Sequence, residues 1–98
     1  MKNAHLVRHE KAIDELGNIV EVKMWRLLKP SKDKPHGYKY SLAYIAGGRR
    51  VIGYDNAEGK GDHKHYGARE LPNSFTTLRR LVQDFFSDIE KFKRGEDL

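Results

Sequence analysis

Cysteine is absent from this 98-residue chain, which rules out a disulfide framework, a thiolate nucleophile and a thiolate-held metal. Proline is scarce at 3 residues, and there is a single tryptophan. No run approaches the roughly 20 consecutive apolar residues of a membrane span. Met1-Lys2-Asn3-Ala4-His5 leads straight into charged sequence with no apolar signal region. These absences set the expectation of a cytoplasmic protein with no membrane contact that folds without covalent staples. Internal repeats and low-complexity tracts are missing too.

The length suits one domain over residues 1–98, since a chain of this size buries roughly two thirds of its unfolded surface in a single two-layer core. Lys and Arg number 19 against 14 Asp and Glu, giving a net charge of +5. An anionic partner is favoured by that balance: nucleic acid, an acidic protein or a charged surface.

Local patterning predicts an α+β fold. Residues from about His5 to Ile13 and from Ile19 to Leu28 read as extended runs around Asp14-Glu15-Leu16-Gly17-Asn18, a hairpin loop. In the second run Val20, Val22 and Met24 share one face and Glu21 and Lys23 the other, with Trp25 on the latter side as a partner surface or cover for that sheet face. After a lysine-rich loop with two prolines, Tyr38 to Ala46 and Arg49 to Asp55 flank Gly47-Gly48, a two-residue turn suited to positive φ. Counting outward pairs Ala46 with Arg49, Tyr44 with Val51, Leu42 with Gly53 and Tyr40 with Asp55 on one side, and Ile45, Ala43 and Ser41 with Arg50, Ile52 and Tyr54 on the other. Pro72-Asn73-Ser74 then signals helix entry, with Asn73 or Ser74 as cap, and Phe75, Leu78, Leu81, Val82, Phe85, Ile89 and Phe92 recur at helical spacing. The expected architecture is a four-stranded antiparallel sheet (two hairpins) over about 5–55, a glycine/histidine loop over 56–72, and one long C-terminal helix over about 74–94 packed on one face. Tyr38, Tyr40 and Tyr44 line one strand face, which fits core better than a base-stacking platform.

The loop from Gly53 to Gly67 is rich in glycine, carboxylates and lysine, buries little, and holds His63 and His65. A pair of imidazoles can supply both halves of an acid/base mechanism near neutral pH. Metal-free cleavage of RNA needs little more, because the ribose 2′-hydroxyl is its own nucleophile. The candidate catalytic residues are His63, His65, Asp55, Lys60 and Asp62, the carboxylates orienting an imidazole and the lysine stabilising developing charge. Lys64, Arg69, Arg50 and Tyr54 are the candidate substrate-binding residues. If the backbone is extended, His63-x-His65 puts both rings on one side, and with Asp55 or Asp62 the pair would also make a two-His, one-carboxylate metal site, an alternative with weaker spacing. No metal or other cofactor is expected on the preferred reading. Gly59-Lys60-Gly61 is not a phosphate loop, since it does not open directly into a helix. His5, His9 and His36 show no partner pattern.

Tyr38-x-Tyr40-Ser41-Leu42, Arg50-Val51-x-Gly53-Tyr54-Asp55-Asn56, Gly59-Lys60-Gly61-Asp62-His63-Lys64-His65, then Glu70 and Phe75, together resemble the TumE family, the toxin component of prokaryotic toxin-antitoxin modules. The resemblance spans about residues 19–92, and its specific part is the block from Tyr54-Asp55-Asn56 to His63-x-His65. It implies a small cytoplasmic toxin encoded beside a DNA-binding antitoxin protein that neutralises it by direct contact. Where the family usually carries Arg between the histidines this chain has Lys64, which matters only if bidentate phosphate binding is required. The expected function is therefore a toxin that binds and cleaves RNA by metal-independent acid/base chemistry. The alternatives are a non-catalytic nucleic-acid- or protein-binding module and a metal-dependent nuclease. A sheet edge offers a route to a homodimer or to the antitoxin.

Overall fold

The computed structural model describes residues 4–57, 59 and 61–96. Among these residues six strands form one antiparallel meander in the order β1 to β6, followed by a single helix. β1 (Ala4–Ile13) and β2 (Ile19–Leu27) make the first hairpin, and β3 (Tyr38–Ala46) and β4 (Arg49–Asp55) the second. Both lie where the alternation places them. At the second turn Gly47 and Gly48 take φ of 58° and 74°, the two positive values a tight hairpin of matching twist needs.

The sheet does not stop at Asp55. Residues expected to form a loop over 56–72 return as β5 (His63–Tyr66) and β6 (Arg69–Pro72), pairing with β4 and with each other across Gly67-Ala68. The expectation of four strands is thus corrected to six. Neither new strand has the apolar alternation that reveals a half-buried strand. β6 is exposed throughout and ends at Pro72, a residue tolerated at a sheet edge because no neighbour needs its missing N–H.

A second correction concerns register. Ala46 pairs with Arg49 and Ile45 with Arg50, but Tyr44 then pairs with Ile52, Ala43 with Gly53, Leu42 with Tyr54 and Ser41 with Asp55. Val51 is the extra residue of a β-bulge. The simple count would have turned Asp55 toward the tyrosine face. The bulge instead sends Ile52 and Tyr54 to that face and Gly53 and Asp55 to the opposite one. The reason lies in burial: Ile52 and Tyr54 are fully buried beside Tyr44 and Leu42, and an unbulged strand would have pointed both away from the core.

Helix α1 (Leu78–Lys93) begins later than expected. Thr77, not Asn73 or Ser74, is the cap, its Oγ1 accepting from the Arg80 backbone N–H at 3.0 Å. Phe75 precedes the helix and stacks on His36 at 3.9 Å between ring centroids. Leu81, Phe85 and Ile89 bury one helix face against Val22, Met24, Tyr40, Leu42, Tyr44, Ile52 and Tyr54. Among the described residues the opposite face of the sheet carries no helix.

Three buried tyrosines fasten this layer at three places. Tyr44 donates to Asp14 in the first hairpin turn, Tyr40 to Asp62 in the β4–β5 loop and Tyr54 to Asp88 of the helix. Burial first, and the aspartate next, push the Tyr40 and Tyr54 hydroxyls far above their ordinary pKa, so both remain donors throughout the accessible pH range. Phe85 is fully buried at the centre of the interface. Phe85→Ala should lower unfolding free energy by about 3–5 kcal/mol, read as a fall in urea midpoint with the slope unchanged.

Candidate functional site

On the helix-free face the register assembles one cluster. Asp55 pairs with His63, Gly53 with His65, and His65 with Glu70, so Asp55, both histidines and Glu70 rise from adjacent positions on β4, β5 and β6. His63 Nε2 lies 2.7 Å from Asp55 Oδ1 and 3.6 Å from Glu70 Oε1, and His65 Nε2 lies 3.4 Å from Asp55 Oδ2. The two rings meet edge to face at 5.0 Å between centroids. One carboxylate is therefore shared by two imidazoles.

The histidines are not equivalent. His63 is buried, and its Nδ1 lies 3.0 Å from the Gly61 carbonyl oxygen. A carbonyl only accepts, so Nδ1 carries a proton. In the neutral ring Nε2 then presents a lone pair to Asp55 Oδ1. That 2.7 Å contact is too poorly angled to count as a hydrogen bond, and Oδ1 is a buried oxygen without one. Two lone-pair atoms so close need a cation between them, either a proton or a metal ion. Asp55, His63 and His65 also each offer a ligand atom, these lying within 4.8 Å of one another.

His65 is less enclosed. Burial pushes its imidazole below the ordinary value, the Arg50 guanidinium lowers it further, and Asp55 opposes both. Arg50 reaches this spot because Gly53 has no side chain: a Cβ there would sit 2.9 Å from Arg50 Cδ. Laid over Gly53, the guanidinium comes to 3.6 Å from Asp55 Oδ2. The cluster thus joins a relatively neutral imidazole to a fixed cation at an open sheet face.

Of the residues singled out from the sequence, the structure brings together Asp55, His63, His65 and Arg50. Asp62 is held elsewhere: Tyr40 donates to it, Asn56 approaches at 3.4 Å and His36 Nε2 at 3.0 Å. Since His36 Nδ1 accepts from the Tyr38 N–H, its Nε2 carries the proton that Asp62 receives. Asp62 and His36 therefore shape the loop leading into β5. Tyr54 and Lys64 pair with each other on the helix side of the sheet, where Lys64 Nζ comes within 4.0 Å of Asp88. Arg69 pairs with Tyr66, one step beyond Glu70. Lys60 lies outside the described residues. Glu70 is the member that residue chemistry did not single out, and the two-residue turn Gly67-Ala68 is the signal that would have brought it opposite His65.

A family model described as Toxin TumE matches residues 3–93, and the chain belongs to that family. Comparisons with curated proteins and with solved structures gave no match. No helix among the described residues is long and apolar enough to cross a membrane.

The depressed His65 value fixes a sign. A group harder to protonate when folded contributes stability that is present above its unfolded value of about 6.5 and is lost as pH falls through the lowered folded value. Arg50→Met should raise the His65 value, and Gly53→Ala should do the same by displacing the guanidinium. Ring-proton NMR titration reads both. An unchanged His65 midpoint in both variants would contradict the packing of Arg50 over Gly53.

Proposed function

We propose that this TumE-family toxin acts on RNA, and that phosphodiester cleavage takes place over Asp55, His63, His65 and Arg50. The observation that carries the reading is the convergence of both Nε2 atoms on the two oxygens of Asp55, with a guanidinium alongside. His65, kept neutral by burial and Arg50, takes the proton from a ribose 2′-hydroxyl. The 2′-oxygen attacks the adjacent phosphorus, Arg50 offsets charge building on the phosphoryl oxygens, and the 5′-oxygen leaves with a proton from water. The products are a 2′,3′-cyclic phosphate and a 5′-hydroxyl end. His63 is the positioning residue: anchored through Nδ1, it holds Asp55 where that carboxylate orients His65. Asp62 has no step here, and Lys64, Arg69 and Tyr54 lie outside the cluster.

A cognate antitoxin, DNA-binding in modules of this kind, would neutralise the toxin by contact, and a homodimer would form through the β1 edge. A cytoplasmic setting follows from the RNA substrate.

The metal-dependent reading is favoured by one observation, the hydrogen-bond-free Asp55 Oδ1 facing His63 Nε2. Zinc would sit between His63, His65 and Asp55 and supply a Lewis acid or a bound hydroxide. Against it stands Arg50, whose fixed charge already serves Asp55 and repels a dication.

Expression of the wild-type chain should arrest growth and fragment RNA, with cyclic phosphate at the new ends. His65→Ala should lower the cleavage rate about 10²- to 10⁴-fold. Cleavage by purified protein should persist in excess chelator. Loss on chelation with recovery on adding Zn²⁺ would transfer the mechanism to the metal reading, and intact RNA during growth arrest would remove the nuclease reading altogether. The rate should hold from the alkaline side down to the lowered His65 value and fall below it, and in Arg50→Met that fall should begin at higher pH.

A further inference from the structure

The helix-free face extends well past the cluster. Pairing runs Lys23 to Ser41 to Asp55 to His63 in one row, and Glu21 to Ala43 to Gly53 to His65 in the row on one side of it. On the other side Trp25 pairs with Lys39. Ser41, Ala43 and Gly53 give the middle of the face a floor of small residues. Beside this floor stands the chain's single tryptophan, half-buried, with the Lys39 ammonium 5.3 Å from its ring centroid. Strand spacing puts Trp25 about 12 Å from Asp55, two strands across and one row along. A cavity of about 650 Å³ opens next, with Leu27 and Leu28 on its apolar wall, Lys29 and Lys39 as its cations, and Lys34 paired with Asp33 at 2.6 Å. That volume lies in the range of small-molecule and cofactor sites.

An aromatic ring on the helix-free face with one ammonium over it, and further lysines at the cavity beyond, match the chemistry of single-stranded nucleic acid, in which planar bases alternate with anions. The small residues Ser41, Ala43 and Gly53 keep side-chain bulk low between the cluster and the tryptophan. We propose that this face is a binding platform for single-stranded RNA, with one base stacked on Trp25 beside Lys39, the next nucleotide entering the lysine-lined cavity, and the chain continuing over Ser41 to the Asp55 cluster. The choice of RNA over DNA rests on the function proposed above; the platform itself does not.

Because Trp25 is the single indole, its fluorescence reports the platform directly. Titrating the full chain with a single-stranded octauridylate should quench it and shift its emission, while inorganic polyphosphate at equal charge should leave the spectrum unchanged. Trp25→Ala should weaken binding of a labelled octauridylate about 5- to 150-fold, the range for one base stacked on an aromatic ring, and Trp25→Phe should recover much of the loss. Lys39→Gln should weaken binding less and flatten its salt dependence. Fluorescence unmoved by saturating RNA, or affinity unchanged in Trp25→Ala, would overturn the platform even if RNA is cleaved. Quenching by RNA without any cleavage would uphold the platform and count against the nuclease reading alone. Quenching that polyphosphate reproduces would overturn base stacking in favour of charge.

Discussion

A single extra residue in β4 governs what the two faces of this sheet do. With Val51 bulged, Ile52 and Tyr54 reach the core, and Gly53 and Asp55 are delivered to the side without a helix. The driving force is burial of two large side chains, worth several kcal/mol together, against the modest cost of one unpaired backbone position. Without the bulge the same chain would place a carboxylate under the helix and an aromatic ring in water. The bulge therefore secures the core and assembles the cluster on the other face in one step. It also brings Arg50 to lie over Gly53 and reach Asp55, an arrangement that suits proximity of charge to a carboxylate already between two imidazoles.

The aspartates divide their work accordingly. Asp14, Asp62 and Asp88 each accept from a buried tyrosine hydroxyl, while Asp33 and Asp84 are held by Lys34 and Arg80. Among the described aspartates, Asp55 alone is shared by two imidazoles and a guanidinium. Tyrosine anchors are rigid and keep their protons, so they fix a scaffold. A carboxylate shared by two imidazoles is suited instead to moving protons or holding a cation.

Much of the framework was legible from residue order. Both long hairpins, the turn at Gly47-Gly48, the buried tyrosines and the helical stripe follow from alternation and from the conformational freedom of glycine. His63 and His65 were found together because an i, i+2 pair shares a side of any extended segment. The missed elements have physical causes. β5 and β6 bear charge on both faces, so their pairing leaves no apolar trace, and only the glycine at their turn hints at it. The bulge was invisible because counting from a turn assumes one residue per rung, whereas the choice is made by the volume available beneath the helix. Asp62 and Tyr54 looked chemical beside the histidines, yet a loop and a strand carry consecutive residues to opposite sides. The start of the helix moved to Thr77 because Phe75 is held by His36 and Tyr40, which keeps the preceding residues extended.

The two borders of the sheet are unlike. β6 is 4 residues long and ends at Pro72, whereas β1 runs for 10 residues with one flank unpaired among the described residues. Lateral growth of such a sheet is one-sided: a newcomer aligned along β1 gains a longer ladder, interrupted only near Val7, while one arriving at β6 finds few rungs and an amide nitrogen with nothing to donate. Two copies meeting along their long borders would consume both, leaving only the short ends outward. Assembly by strand addition would then finish at a closed symmetric pair and could not propagate into a fibre.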